Sequence, residues 1–129
     1  MRMLATAAIA VLLLAADAMA QEVSRLQRIL ESGVLRVGTT GDFNPMSFRN
    51  PTTNELEGYD IDAVEKLASD MGVEIEYVPT DWKTLVAGIV ADKYDITTSA
   101  SLSMDRAAVA GFSDPYVEFS TVPMTLASN

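Results

Sequence analysis

The chain has 129 residues, which is room for one domain, and its 9 Lys and Arg against 18 Asp and Glu give a net charge of −9. This charge argues against nucleic acid as a partner, because a polyphosphate is bound mainly through Lys and Arg. The sequence has no Cys and no His, which excludes disulfide scaffolds, Ser-His-Asp triads and Cys/His zinc sites, and we expect no metal or cofactor.

Residues 1–20 have the layout of a secretory signal peptide. Arg2 precedes an apolar run from Met3 to Ala16, and Ala18 and Ala20 supply the small residues before a cleavage site. A membrane anchor is the weaker interpretation, because the run is shorter than the ~20 residues needed to cross a bilayer. We therefore expect a periplasmic protein whose mature chain is residues 21–129.

The mature chain begins with alternating helix and strand patterns. Apolar residues at helical spacing from Val23 to Leu30 predict an amphipathic helix that Gly33 ends, and residues 34–39 are typical of a strand. Residues 40–45 and 49–58 are predicted loops. A second helix then follows, with Asp60 as its cap and an apolar stripe formed by Val64, Leu67, Ala68 and Met71. The acidic residues around its start are interpreted as solvated: Glu55, Glu57, Asp60 and Asp62.

The same alternation continues to the end of the chain. Residues 73–78 and 94–98 are predicted strands, and 117–126 is an extended stretch interrupted by Pro123. Between the two strands, Thr80 or Asp81 is expected to cap a helix that turns its apolar residues inward: Leu85, Val86, Ile89 and Val90. A Ser-rich turn, 99–103, leads into a short helix. The order β-α-β-α-β favours an α/β fold with a largely parallel sheet.

Ligands of parallel sheets bind beyond the carboxyl ends of the strands, where three predicted loops lie: 39–45, 79–83 and 99–106. These loops carry hydroxyl groups, carboxylates, two aromatic rings and one guanidinium: Thr39, Thr40, Asp42, Phe43, Asp81, Trp82, Ser99, Ser101, Ser103 and Arg106. Aromatic faces cover aliphatic or cationic groups, and Arg106 with the start of the short helix can hold a carboxylate. The residues therefore predict a site for a small anion.

Less specific interpretations of the same residues stay open. Phe43 and Trp82 are equally compatible with a place in the core, and Arg106 with a solvated position paired to Asp105 or Asp114. The Ser cluster is also compatible with a simple cap and turn. Residues 38–41 lack the third Gly and the Lys of a phosphate loop, and no calcium-loop spacing is present.

Ordered motifs give a more specific indication. The segments 35–39, 45–48, 58–62, 81–82, 93–96 and 112–116 read LRVGT, PMSF, GYDID, DW, KYDI and FSDPY. Together they resemble the N-terminal half of bacterial solute-binding proteins of family 3, the amino-acid receptors of ABC importers. The resemblance implies an incomplete type II periplasmic-binding-protein-like lobe, with a central, mostly parallel sheet and helices on both faces. Residues 21–129 would be this first lobe, and the second lobe would be absent.

The resemblance also implies roles for particular residues. Phe43 and Trp82 would flank the ligand, the turn Ser99–Ala100–Ser101 and Arg106 would hold its α-carboxylate, and Thr40 would lie beside it. Many relatives that bind cationic amino acids carry Asp in place of Thr40, which makes a basic amino acid a weaker candidate. The expected partners are a small amino acid or carboxylate and a transporter permease, and the protein is expected to be a monomer without enzymatic activity.

An enzyme on the same fold is the alternative. Residues 31–37 and 39–43 are also similar to periplasmic cyclohexadienyl dehydratase, which expels water and carbon dioxide from prephenate or arogenate. In that case Arg106 and the Ser turn would hold a substrate carboxylate, and the general acid would belong to the second lobe.

Overall fold

The structure is a computed structural model, and it describes residues 23–120 and 122–127. The predicted signal peptide lies outside these residues. The described helices are α1 (Arg25–Ser32), α2 (Tyr59–Met71), α3 (Leu85–Val90) and α4 (Met104–Ala107). The strands are β1 (Val34–Thr39), β2 (Asp42–Phe43), β3 (Ser47–Arg49), β4 (Leu56–Glu57), β5 (Glu74–Pro79) and β6 (Ile96–Thr97). No helix of the described part is long and apolar enough to span a membrane.

The central sheet is parallel, in the order β5-β1-β6. Its strand β1 is paired to β5 along its whole length, from Val34 opposite Glu74 to Thr39 opposite Pro79. The other edge of β1 pairs with β6, where Val37 lies opposite Ile96. All three strands end at the same edge of the sheet, as the predicted β-α-β-α-β order requires.

Helices cover both faces of this sheet. On one face, Leu35 and Val37 of β1 join Val64 and Ala68 of α2 and Ile29 of α1 in a single buried cluster. Successive residues of a strand face opposite ways, so Gly38 faces the other side.

On that other side the ring of Tyr94 is wedged against Gly38 and against Gly88 of α3. Tyr94 is 1% exposed, and its hydroxyl group donates a hydrogen bond to Leu85 O at 2.6 Å. The predicted arrangement of helices about a mostly parallel sheet is therefore present.

A second, antiparallel sheet, β2-β3-β4, forms within and between the predicted loops 40–45 and 49–58. Its strands are two or three residues long, so no alternation of polar and apolar residues is long enough to predict them. The segment 117–126, predicted to be extended, pairs with no strand in the described part of the chain.

Several predicted burial patterns were wrong. Asp60 does not cap α2: Gly58 holds the cap position with φ of 127°, and Asp60 is 0% exposed rather than solvated. Leu67 and Val90 are 42% and 61% exposed, because they border an open groove instead of packing into the buried cluster. In α1 only Ile29 is buried.

The groove beside Leu67 and Val90 has a volume of about 800 Å³ and is lined by residues of α2, α3 and β6, together with Ser99, Ala100, residues 109–113 and Tyr116. Among the described residues, β6 pairs only with β1, so its other edge borders this groove. Ion pairs lie toward the amino ends of the strands, away from the edge where the strands end. There Arg36 Nη2 of β1 lies 2.7 Å from a carboxylate oxygen of Asp95 and 3.1 Å from one of Asp92.

Candidate functional site: an aromatic pair and a serine turn at the strand ends

Two of the predicted residues, Phe43 and Trp82, are in direct contact beyond the carboxyl ends of β1 and β5. Their ring centroids are 5.5 Å apart with planes at 84°, which is the edge-to-face geometry that aromatic pairs prefer. The indole Nε1 of Trp82 donates a hydrogen bond to Asp42 Oδ1 at 3.0 Å. Neither ring lies in the core, because Phe43 is half-buried and Trp82 is 41% exposed. The pair therefore forms a surface that a ligand can contact.

The position of Trp82 depends on the turn before α3. Asp81 Oδ1 accepts hydrogen bonds from Lys83 N at 2.8 Å and Thr84 N at 3.0 Å. These two backbone bonds lower the pKa of the Asp81 carboxyl group. Asp81 thus stabilises this turn, but the prediction that Thr80 or Asp81 caps the helix was wrong: Thr84 holds the N-cap position of α3, and no side chain caps it.

The serine turn follows β6 at the same edge of the sheet. Ser99 has a φ of 61°, a left-handed conformation that is uncommon for residues other than glycine. Within the described part of the chain, the amide groups of Ala100 and Ser101 donate to no acceptor. Two adjacent free N–H groups in a turn are suited to an acceptor such as a carboxylate.

Arg106 lies against this turn. Its Nη1 donates to Ser101 O at 2.9 Å, while among the described residues Nε and Nη2 have no acceptor and no carboxylate forms an ion pair with it. The predicted contribution of the helix start is limited, since α4 has four residues and Ser103 Oγ already accepts from Arg106 N at 3.4 Å. The guanidinium and the free amides are the groups left to hold an anion.

A cavity of about 300 Å³ lies beside the serine turn, and Phe43, Trp82 and Arg106 are not among the described residues that line it. Ser99, Ala100 and Ser101 line it together with Phe119, whose ring lies 5.8 Å from that of Phe43. Phe119 thus lies between the cavity and Phe43, while the guanidinium of Arg106 contacts the serine turn at Ser101 O. Thr40 is half-buried in the loop after β1, without a contact to the cavity.

Three residues at the site were not predicted: Asp60, Tyr116 and Phe119. Asp60 accepts hydrogen bonds from Ser99 Oγ and, at 3.0 Å, from the hydroxyl group of Tyr116. Burial raises the pKa of Tyr116 to about 12, and the carboxylate of Asp60 adds to the effect although the Ser99 amide opposes it. An acidic residue inside a predicted helix start carries no local signal that it is buried, since its partners lie far along the chain.

These features define a class of protein: an α/β lobe of the type II periplasmic-binding-protein fold, with a polar turn and an aromatic pair at the strand ends. The model of the family "Bacterial extracellular solute-binding proteins, family 3" matches residues 35–129. The chain belongs to this family.

Two curated relatives differ in what their names describe. The chain is 44% identical to the cyclohexadienyl dehydratase of Pseudomonas aeruginosa over 118 residues, which are 91% of this chain and 43% of that protein. It is 30% identical to the L-cystine-binding protein TcyA of Bacillus subtilis over 101 residues, 78% of this chain and 38% of that one. The chain therefore spans less than half the length of either relative.

Solved structures carry the same fold. A crystal structure of an ancestral cyclohexadienyl dehydratase superposes with a TM-score of 0.69 at 47% identity, covering 73% of this chain and 39% of that one. The arginine-bound form of domain 1 from TmArgBP, the arginine-binding protein of T. maritima, superposes with a TM-score of 0.65 at 31% identity. That match covers 69% of this chain and 71% of the domain.

Proposed function

We propose that this chain is the ligand-binding first lobe of a periplasmic receptor for an amino acid or a similar small carboxylate, which it delivers to an ABC importer. The observation that carries the proposal is the serine turn: Ala100 and Ser101, whose amides are free within the described part of the chain, line a cavity, and the guanidinium of Arg106 donates to Ser101 O. The family to which the chain belongs supports it.

In this proposal the ligand's carboxylate accepts hydrogen bonds from Ala100 N, Ser101 N and Arg106, and the Phe43–Trp82 pair covers the rest of the ligand. A second lobe would close over the exposed side, and the ligand would favour the closed state by contacting both lobes. The arginine-bound structure of domain 1 from TmArgBP supports binding by a first lobe without its second.

Isothermal titration calorimetry with L-cystine, L-arginine and other L-amino acids tests the proposal. We expect Arg106→Ala to weaken binding about 10- to 100-fold, because a hydrogen bond to a charged group contributes about 1.5–3 kcal/mol. Arg49→Ala is the matched control, since Arg49 also donates to a backbone carbonyl, Asn54 O at 2.6 Å, and lies outside the site. Equal affinity of the two variants would remove Arg106 from the site.

A second candidate function is cyclohexadienyl dehydratase, favoured by the 44% identity over 91% of the chain. Here the same turn and Arg106 would bind a carboxylate of prephenate, which would lose water and carbon dioxide to give phenylpyruvate. Incubation with prephenate, followed by the absorbance of phenylpyruvate, tests this candidate. Turnover that Arg106→Ala abolishes would establish the enzyme, and binding of L-amino acids without binding of prephenate would favour the receptor.

A further inference from the structure

Asp60 is a buried carboxylate with one oxygen bonded to the serine turn and the other to Tyr116. Oδ2 accepts from Ser99 Oγ, and Oδ1 accepts from the hydroxyl group of Tyr116 at 3.0 Å. Among the described residues, no Lys or Arg pairs with it. Burying a carboxylate costs free energy, and here only its hydrogen bonds offset that cost. The bonds to Ser99 and Tyr116 therefore indicate the role of Asp60.

The carboxylate does not serve its own helix. The cap position of α2 belongs to Gly58, and no side chain caps the helix. The amide of Asp60 itself donates to Met46 O at 2.8 Å, which ties the first turn of α2 to the residue before β3. The side chain is thus free to reach residues 39 and 56 positions further along the chain.

Ser99 is held at two points by this arrangement. Its hydroxyl group donates to Asp60, and its amide lies 3.5 Å from the hydroxyl oxygen of Tyr116, which in turn donates to Asp60. The ring of Tyr116 is stacked on that of Tyr59, with the ring centroids 6.2 Å apart, and this contact orients the Tyr116 side chain. A left-handed conformation at a serine persists only where surrounding contacts determine it, and here those contacts converge on one carboxylate.

We propose that Asp60 is a positioning residue for ligand binding: it holds Ser99 in the left-handed conformation that turns the amides of Ala100 and Ser101 toward the cavity. The inference rests on the proposed function, in which these amides bind the ligand carboxylate. Asp60 itself does not contact the ligand. Its effect reaches the site through Ser99, with Tyr116 as the second support.

The first test needs no ligand. Two-dimensional ¹H–¹⁵N spectra of Asp60→Asn should show altered amide positions and faster hydrogen exchange at residues 99–101. Asp62→Asn is the matched control, because Asp62 lies on the same helical turn but is exposed. Tyr116→Phe removes the second support while Ser99 Oγ can still donate to Asp60 Oδ2, so it decides the question if Asp60→Asn does not fold. Unchanged amides at 99–101 in the folded variant would overturn the proposal.

The second test uses rescue. Glycine adopts a positive φ without support, so Ser99→Gly should reduce the dependence of the turn on Asp60. With L-cystine and L-arginine as probes, we expect Asp60→Asn to weaken binding about tenfold and the double variant with Ser99→Gly to recover most of that loss.

Equal losses in the single and double variants would show that Asp60 only stabilises the fold. If the wild-type chain binds none of the L-amino acids titrated above, the proposed function fails, while the amide spectra still decide whether Asp60 positions the turn.

Discussion

Single side chains set the spacing between the central sheet and α3. A Cβ atom built on Gly88 would lie 2.2 Å from the hydroxyl oxygen of Tyr94, and one on Gly38 would lie 2.6 Å from the ring. Tyr94 fills the space between helix and strand so closely that only glycine fits on either side. The packing around Tyr94, and not chain flexibility, therefore explains both glycines.

Gly88→Ala should destabilise the fold by about 1–3 kcal/mol, the usual cost of an overpacked core, despite the better helix propensity of alanine. Urea denaturation followed by circular dichroism measures the change. Gly111→Ala is the control, since a Cβ atom there would contact nothing within 4 Å. An unaltered denaturation midpoint in Gly88→Ala would contradict this account of Tyr94.

The hydrogen bonds between Asp95 and Arg36 make the stability of the fold depend on pH. Its carboxylate accepts from Arg36 Nη2 at 2.7 Å, Nε at 3.1 Å and N at 3.0 Å. Burial opposes the ionisation of Asp95, but the hydrogen bonds and charge of Arg36 outweigh it and lower the pKa below 3.8. Since the pKa is lower in the folded state, these bonds stabilise the fold above pH 3.8, and this contribution is lost as the pH falls through the folded pKa.

We therefore expect Asp95→Asn to lower the free energy of unfolding at pH 7 by about 2 kcal/mol and to flatten its decline on acidification. Urea denaturation between pH 7 and pH 2 measures both effects. Asp70→Asn serves as the comparison, because Asp70 forms a surface pair with Lys66 and such pairs contribute little. Identical acid profiles for the two variants would show that Asp95 carries no such stabilisation.

At the scale of elements, periodicity predicted the structure where an element is long enough to show it. β1, α2 and β5 lie where the sequence places them, and Gly33 and Gly72 end α1 and α2 in the left-handed conformation. The short strands β2, β3 and β4 depend on pairing partners rather than on a local pattern, so they were missed.

The same distinction, between features with a local sequence pattern and features that depend on distant partners, holds for the candidate site. Phe43, Trp82 and the serine turn were found because the strand ends of a parallel sheet converge, which topology alone predicts. Asp60 and Tyr116 were not predicted as site residues, because their roles come from a hydrogen bond between residues 56 positions apart. The exposure of Leu67 and Val90 was also missed, since a periodic pattern identifies an apolar face but not whether it is covered.

For the whole molecule, the groove between α2, α3 and β6 is an open, mostly apolar surface in the described part of the chain. Leu67 and Val90 border it at 42% and 61% exposure. Lysine at these two positions should leave the denaturation midpoint within experimental error, because neither side chain belongs to the buried cluster. The double variant should bind the apolar dye ANS less strongly than the wild type, and unchanged dye fluorescence would contradict this view of the groove.

The proposed function requires one end of the sheet to form a single binding site, in which the serine turn and the aromatic pair contact the same ligand. An ¹H–¹⁵N titration of the chain with a panel of L-amino acids and prephenate tests this most directly. We predict that the amides of Ala100 and Ser101 and the indole N–H of Trp82 shift together, with one dissociation constant, while Gly88 and its neighbours stay unchanged. Shifts confined to the groove-lining residues of α2 and α3, or separate dissociation constants for the turn and for Trp82, would contradict this prediction.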